Sequence, residues 1–209
     1  AGTAGGAVQN AIGIVSLSHS TLSGNQAATS GGALYNSSGS LGLTNLTIVN
    51  NTALSANHVR NKFGFAEAAT DPGAALGQAG DGAVLIGTRN HLHAPMVMAA
   101  LKSGRHVFVE KPMAMNAREC KAMLARSKKL RRKLVVGFQH RFESRVQFIK
   151  EAIEKGRFGK ILFTRVSYYR RRGIPNWGVF GRKELQGGGG LIDVGVHALE
   201  QAWYAIGRP

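Results

Sequence analysis

The spacing of apolar residues changes along this chain. Through residues 1–54 they alternate with Ser, Thr or Asn, as at Leu41, Leu43, Leu46 and Ile48, the period-two mark of short strands. Gly-Gly, Gly-Asn and Asn-Asn pairs punctuate them as turns. Beyond Arg60 compact apolar runs alternate with helical spacing. Ala83-Val84-Leu85-Ile86 reads as a buried parallel strand, and His106-Val107-Phe108-Val109 and Leu134-Val135-Val136 as two more. Asp71-Pro72 predicts a helix start, with the helix running to Gly80, and Pro95 opens another that ends at Gly104. Asn116 with Glu119 makes a capping box, and the helix it starts places Cys120, Met123, Leu124 and Ser127 on one face. Val146, Ile149 and Ile153 mark an amphipathic helix. Ile161 to Tyr169 alternates as a longer strand, and Leu191 to Ile206 is a last helix.

Strands alternating with helices predict an α/β fold with a parallel sheet and right-handed crossovers. Such sheets bind ligands beyond the carboxyl ends of their strands. The loops after Ile86, Val109 and Val136 are therefore expected to converge on one crevice.

Residues 1–54 also repeat. Gly5-Gly6-Ala7-Val8-Gln9-Asn10 returns as Gly31-Gly32-Ala33-Leu34-Tyr35-Asn36, and in the same register Leu17-Ser18 matches Leu43-Thr44 and Asn25 matches Asn51. Two readings stand: coils of a β-solenoid with aliphatics in the bore, or a low-complexity Gly/Ser/Asn linker. Gly-Gly-Ala-Leu-Tyr-Asn, followed by Leu-Thr-Asn-Leu-Thr-Ile-Val-Asn-Asn-Thr-Ala, resembles the repeats of right-handed parallel β-helix proteins of bacterial surfaces.

Composition sharpens this division. Of 209 residues, 27 are Lys or Arg and 11 are Asp or Glu, yet none of them precedes Arg60. That break predicts a domain boundary near Leu54 to Arg60. The single cysteine, Cys120, excludes a disulfide framework and a multi-cysteine zinc site. No apolar run is long enough to span a bilayer, and no signal peptide is expected. The net charge of +16 gathers in Lys128-Lys129-Leu130-Arg131-Arg132-Lys133 and Arg170-Arg171-Arg172. Neither run is interleaved with aromatics, so solvated cations near a helix end are expected, with no specific nucleic-acid partner.

The strand-end loops carry the candidate chemistry. The first is Thr88-Arg89-Asn90-His91-Leu92-His93, the second begins Glu110-Lys111-Pro112, and the third is Gly137-Phe138-Gln139-His140-Arg141-Phe142. Further on, Gly187-Gly188-Gly189-Gly190 leads to Asp193 and His197, four apart on one helix face. A carboxylate beside an imidazole can orient a hydroxyl and move its proton. Each feature has an ordinary alternative: a surface ion pair, a strand-end turn, histidines that cap a helix.

Taken in order, these motifs resemble the Gfo/Idh/MocA oxidoreductase family. The likeness runs from Lys62-Phe63-Gly64-Phe65-Ala66 to Pro209 and includes Arg172-Gly173-Ile174-Pro175-Asn176-Trp177. The resemblance implies NAD or NADP as cofactor and a sugar or cyclitol hydroxyl as the group oxidised. It implies Lys111, Asp193 and His197 as catalytic residues, with His197 the acid/base. Thr88, Asn90, His93, Glu110, Lys111, Pro112 and Gln139 would border the cofactor, while Lys111, Trp177, Asp193 and His197 would meet the substrate. The same likeness implies a cytoplasmic enzyme with a sheet face through which family members associate into homo-oligomers.

One family element is missing from the sequence. No strand followed by Gly-x-Gly-x-x-Gly is present, since Gly2-Thr3-Ala4-Gly5-Gly6 lacks the spacing. The expected architecture is therefore an incomplete Rossmann-type sheet (residues 55–141) and part of a substrate domain (142–209), after the solenoid-like segment (1–54). This sheet should leave a bare edge beside Ala83-Val84-Leu85-Ile86. The expected function is a dehydrogenase fragment, inactive as this chain; the alternative is a non-catalytic β-helix surface module.

Overall fold

The computed structural model describes residues 53–77, 82–169 and 181–207, and, before these, the backbone of six strands between residues 8 and 49. The chain divides into two compact units, Ala1–Val136 and Gly137–Pro209.

In the first unit the early strands are β1 (Val8–Asn10), β2 (Ile14–Ser18), β3 (Ser20–Ser23), β4 (Leu34–Asn36), β5 (Ser40–Thr44) and β6 (Thr47–Val49). Three pairs run parallel in the repeat register: Val8 opposite Leu34, Ile14 opposite Ser40, Thr21 opposite Thr47. Helix α1 (Ala53–Phe63), strand β7 (Glu67–Ala69) and helix α2 (Pro72–Gly77) follow. The charge break at Arg60 thus falls inside a helix, not in a linker. Asp71 caps α2 as its sequence predicts, its carboxylate accepting from Gly73 N at 2.9 Å and Ala74 N at 3.1 Å.

Strand β8 (Ala83–Ile86), helix α3 (Asn90–Lys102), strand β9 (His106–Glu110), helix α4 (Ala117–Lys129) and strand β10 (Leu134–Gly137) complete the alternation. Helix α3 starts at Asn90 rather than at Pro95, which lies within it. The Asn116 side chain accepts from Glu119 N at 3.0 Å, while the Glu119 carboxylate reaches Met115 N rather than Asn116 N. On α4, Met123 and Ser127 are buried and Cys120 packs at the core margin, but Leu124 turns outward.

Six strands form one sheet in the order β10-β9-β8-β3-β6-β7, and the pairs β8–β9, β3–β8, β3–β6 and β6–β7 are parallel. In chain order, the first of these six strands is beside the fourth, the doubly wound arrangement of nucleotide-binding sheets. The expected bare edge does not exist. Ser20 to Ser23 pair with Ala83 to Ile86, a long-range pairing that local sequence pattern cannot signal. Val84, Ile86, Val107 and Val109 of the sheet bury against Val97 and Leu101 of α3 and Met123 of α4.

The second unit begins with a 3₁₀ turn (Gln139–Phe142) and helix α5 (Ser144–Glu154). Residues 161–169 were expected as a strand. They form neither strand nor helix, and Leu162, Phe163 and Tyr169 are exposed. Alternation alone does not make a strand when no neighbouring edge accepts its hydrogen bonds. A short helix α6 (Lys183–Gln186) precedes the glycines. The last helix is then split: a π-helical turn, Leu191–Gly195, runs into α7 (Val196–Ile206).

Candidate active site

The first unit presents its motif residues at the carboxyl ends of β8 and β9. Burial on both faces drives β8 into the core, so the chain surfaces only after Ile86. Thr88 is buried there, and its hydroxyl donates to the Arg89 carbonyl at 3.3 Å. Asn90 opens α3 and is half-buried. His93, one turn further, is fully buried. Its Nδ1 lies 2.7 Å from the Pro112 carbonyl oxygen and its Nε2 3.0 Å from that of Thr88. One imidazole thus joins the loop after β8 to the loop after β9. The third loop predicted for this crevice belongs to the second unit.

Glu110 ends β9, Lys111 follows half-buried, and the Lys111–Pro112 peptide is cis. The Glu110 carboxylate accepts from its neighbour's main-chain Lys111 N at 3.2 Å. Burial pushes the Glu110 carboxyl up to about 7, against the pull of the Lys111 amide and charge. Burial likewise lowers His93, partly offset by its two carbonyl partners and reinforced by positive charge on His91 and Lys111.

In the second unit His197 occupies the first turn of α7 and is buried, while Asp193 is half-buried in the π-helical turn before it. Such turns interrupt helices frequently at functional sites. The His197 ring meets two others edge-on: His140 at 4.7 Å between centroids, with planes 83° apart, and Phe138 at 6.3 Å and 87°. The Nδ1 of His140 is hydrogen-bonded to Glu143, whose second oxygen accepts from Arg145 Nε at 2.6 Å. Burial raises the Glu143 carboxyl, but His140 and Arg145 together outweigh it and hold the group below its usual value. Gln139 is exposed at the start of the 3₁₀ turn. Trp177 and the rest of its motif lie outside the described residues. The motifs gave no role to His140 or Glu143; the only signal was their place in a strand-end loop.

A family model described as "Oxidoreductase family, NAD-binding Rossmann fold" matches residues 23–138, more than half of the chain. The chain belongs to the GFO/IDH/MocA oxidoreductase family. A second model, the GFO/IDH/MocA C-terminal domain, matches residues 146–209. The match reaches back to residue 23, well before Lys62, in accord with the place of β3 and β6 in the sheet.

The chain is 39% identical over 154 residues to D-glucoside 3-dehydrogenase of Escherichia coli, covering 74% of itself and 44% of that protein. It is 34% identical over 156 residues to levoglucosan dehydrogenase of Pseudarthrobacter phenanthrenivorans, covering 73% of itself and 40% of that protein. A solved levoglucosan dehydrogenase in complex with NADH and levoglucosan superposes with a TM-score of 0.71 at 28% identity, covering 80% of this chain and 46% of the other. The chain thus spans less than half the length of these relatives. None of its described helices is long and apolar enough to cross a membrane, and the described residues hold no metal-binding cluster.

Proposed function

We propose that this chain carries the reacting groups of a nicotinamide-dependent dehydrogenase that oxidises a sugar or cyclitol hydroxyl. The observation that carries this reading is Lys111, set just past the carboxyl end of β9 in a sheet of doubly wound order, where such folds hold their ligands. The residues at this end fit a nicotinamide cofactor. Two loops are locked together around Lys111, and the buried His91 Nδ1 at the start of α3 has no hydrogen-bond partner, a polar atom a ligand can satisfy.

When bound, the cofactor supplies a two-electron acceptor for hydride. Lys111 donates hydrogen bonds to the substrate hydroxyl and steadies the developing negative charge on its oxygen. His197 takes the hydroxyl proton as the C–H bond gives up its hydride and the alcohol becomes a carbonyl, and Asp193 orients hydroxyl and imidazole. Thr88, Asn90, Glu110, Pro112 and Gln139 border the cofactor, His93 acts through the loops it ties, and Trp177 borders the substrate. A cytoplasmic location and no nucleic-acid partner go with this reading.

At the diphosphate end the fit is poorer. Ser23 is followed by Gly24-Asn25-Gln26-Ala27-Ala28, without the Gly-x-Gly-x-x-Gly spacing. The expectation is weak cofactor binding and little or no turnover; titration calorimetry showing micromolar affinity for NADH or NADPH would overturn it. To test the assignment itself, the chain is incubated with saturating NAD or NADP and levoglucosan, a methyl glucoside or myo-inositol. Any turnover detected should vanish in Lys111→Ala and in His197→Ala, and a normal rate in either removes that residue from the mechanism.

A second reading has one observation in its favour. The parallel pairs Val8–Leu34, Ile14–Ser40 and Thr21–Thr47 keep one constant offset, as stacked solenoid coils do. On that reading residues 1–54 are a non-catalytic β-helix module, but β3 and β6 of this segment pair into the oxidoreductase sheet beside β8 and β7, which favours the dehydrogenase reading.

A further inference from the structure

We propose that the Glu143–His140 pair is a positioning device for the His197 imidazole. The inference rests on the acid/base role just given to His197, but its geometry is independent of that role.

Three observations carry it. First, His197 is buried and bracketed by two rings that meet it perpendicularly, His140 and Phe138, both from the segment that follows β10. Perpendicular aromatic contacts at these separations are attractive and directional. Rotation of the His197 ring about its Cβ–Cγ bond would break both contacts. Second, His140 is itself fixed, because its Nδ1 is committed to Glu143. A carboxylate can only accept, so Nδ1 carries the proton and a neutral His140 exposes its Nε2 lone pair. Third, Glu143 is tied on its second oxygen by Arg145, and His140 and Arg145 together hold its carboxyl below the usual value, so the lock persists at neutral pH. The order is carboxylate, imidazole, then a second imidazole, each fixing the next, as outer residues orient a reacting histidine elsewhere. His140 therefore selects one orientation of the group that exchanges the substrate proton.

The other charged groups nearby have separate partners. Arg141 pairs with Glu200 on α7. Tyr168 lies beside His140, with ring centroids 6.0 Å apart, and its hydroxyl is bonded to Gln201. Asp193 precedes His197 in the π-helical turn.

The test uses the full chain labelled with nitrogen-15. Long-range proton–nitrogen spectra should show the His197 ring nitrogens as one sharp set. In His140→Ala and Glu143→Ala that set should move and broaden, and in His140→Phe, which restores a ring without a proton, it should sharpen again. Unmoved His197 signals in His140→Ala overturn the proposal. Should that variant not fold, Glu143→Gln decides: an unmoved signal there overturns it equally. Where the chain turns over, His140→Ala should lower kcat about tenfold with KM within about twofold, since orientation serves the reacting state more than ground-state binding. The spectra decide this proposal whether or not the unmodified chain turns over, whereas a normal rate in His197→Ala removes the acid/base role alone.

Discussion

His93 Nδ1 and the Pro112 carbonyl oxygen stand 2.7 Å apart, so a residue of α3 fixes the turn that carries Lys111. The same ring reaches Thr88 O through Nε2. A neutral imidazole has one N–H for two carbonyls, so one contact is a hydrogen bond and the other holds only when the proton shifts. Replacing the ring takes the donor from one buried carbonyl and leaves a cavity. His93→Ala should cost about 3 kcal/mol in urea unfolding. His91→Ala, removing a ring nitrogen already unpartnered, should cost less than about 1 kcal/mol. Equal losses in the two variants would mean that the loop tie contributes nothing beyond packing.

Glu110 and His93 should pull stability in opposite directions with pH. The Glu110 carboxyl rises from 4.5 to about 7 in the folded chain. Its contribution is therefore fully present below the unfolded value and is lost as pH rises through about 7, by about 3 kcal/mol in all. His93 is lowered from 6.5, so the unfolded chain takes up its proton first, and stability is lost as pH falls below that value. Glu110→Gln should abolish the decline toward alkaline pH and leave the rise due to His93 exposed. Denaturant unfolding of both forms across this interval, showing the same slope, would remove Glu110 from the account.

Much of this was legible in the sequence, and the failures have physical causes. A continuous apolar run gave β8 because a parallel strand covered on both faces needs one, and similar runs marked β9 and the edge strand β10, although Val135 of β10 is exposed. Asp71 and Asn116 announced their helices because a cap is a local hydrogen bond. The pairing of Ser20–Ser23 with Ala83–Ile86 was invisible, since register between distant strands leaves no local mark. Helix α1 was hidden by the charge break, which is a change of composition and not of backbone. The motifs named Lys111, Asp193 and His197 as candidates but gave His140 no role, since its contact with His197 joins residues distant in sequence.

Arg141 and Glu200 make the most consequential ion pair among the described residues of the second unit. Glu200 is buried, and its Oε2 has no hydrogen-bond partner, so the Arg141 guanidinium on its other oxygen is what offsets the desolvated charge. That guanidinium also lies over the Tyr204 ring, 5.0 Å from its centroid. Arg141→Ala should cost about 2 to 3 kcal/mol, and adding Glu200→Gln should recover part of it, because the unpaired charge is then gone. Arg145→Ala, on the exposed side of Glu143, should cost less than about 1 kcal/mol. A double-mutant cycle with no coupling between Arg141 and Glu200 would contradict this.

The basic run from Lys128 to Lys133 is explained by how α4 ends. The Arg131 N–H reaches Lys128 O at 3.1 Å and the Arg132 N–H reaches Ser127 O at 2.9 Å, the paired bonds of a left-handed helix stop. Helices α3 and α5 stop in the same way, with Gly104 at φ 81° and Gly156 at φ 68° in the left-handed position. At α4 that position is Arg131, at φ 52°, where a Cβ crowds the following carbonyl at a cost of about 1 to 2 kcal/mol. Arg131→Gly should remove this strain, and the extra freedom of glycine in the unfolded chain should return about half of the gain. The net expectation is a stabilisation of about 0.5 to 1 kcal/mol, read as a higher urea midpoint at unchanged slope. Arg131→Ala keeps the Cβ and loses only the guanidinium, so it should show no such gain. If both substitutions stabilise equally, crowding of like charges and not backbone strain governs this turn.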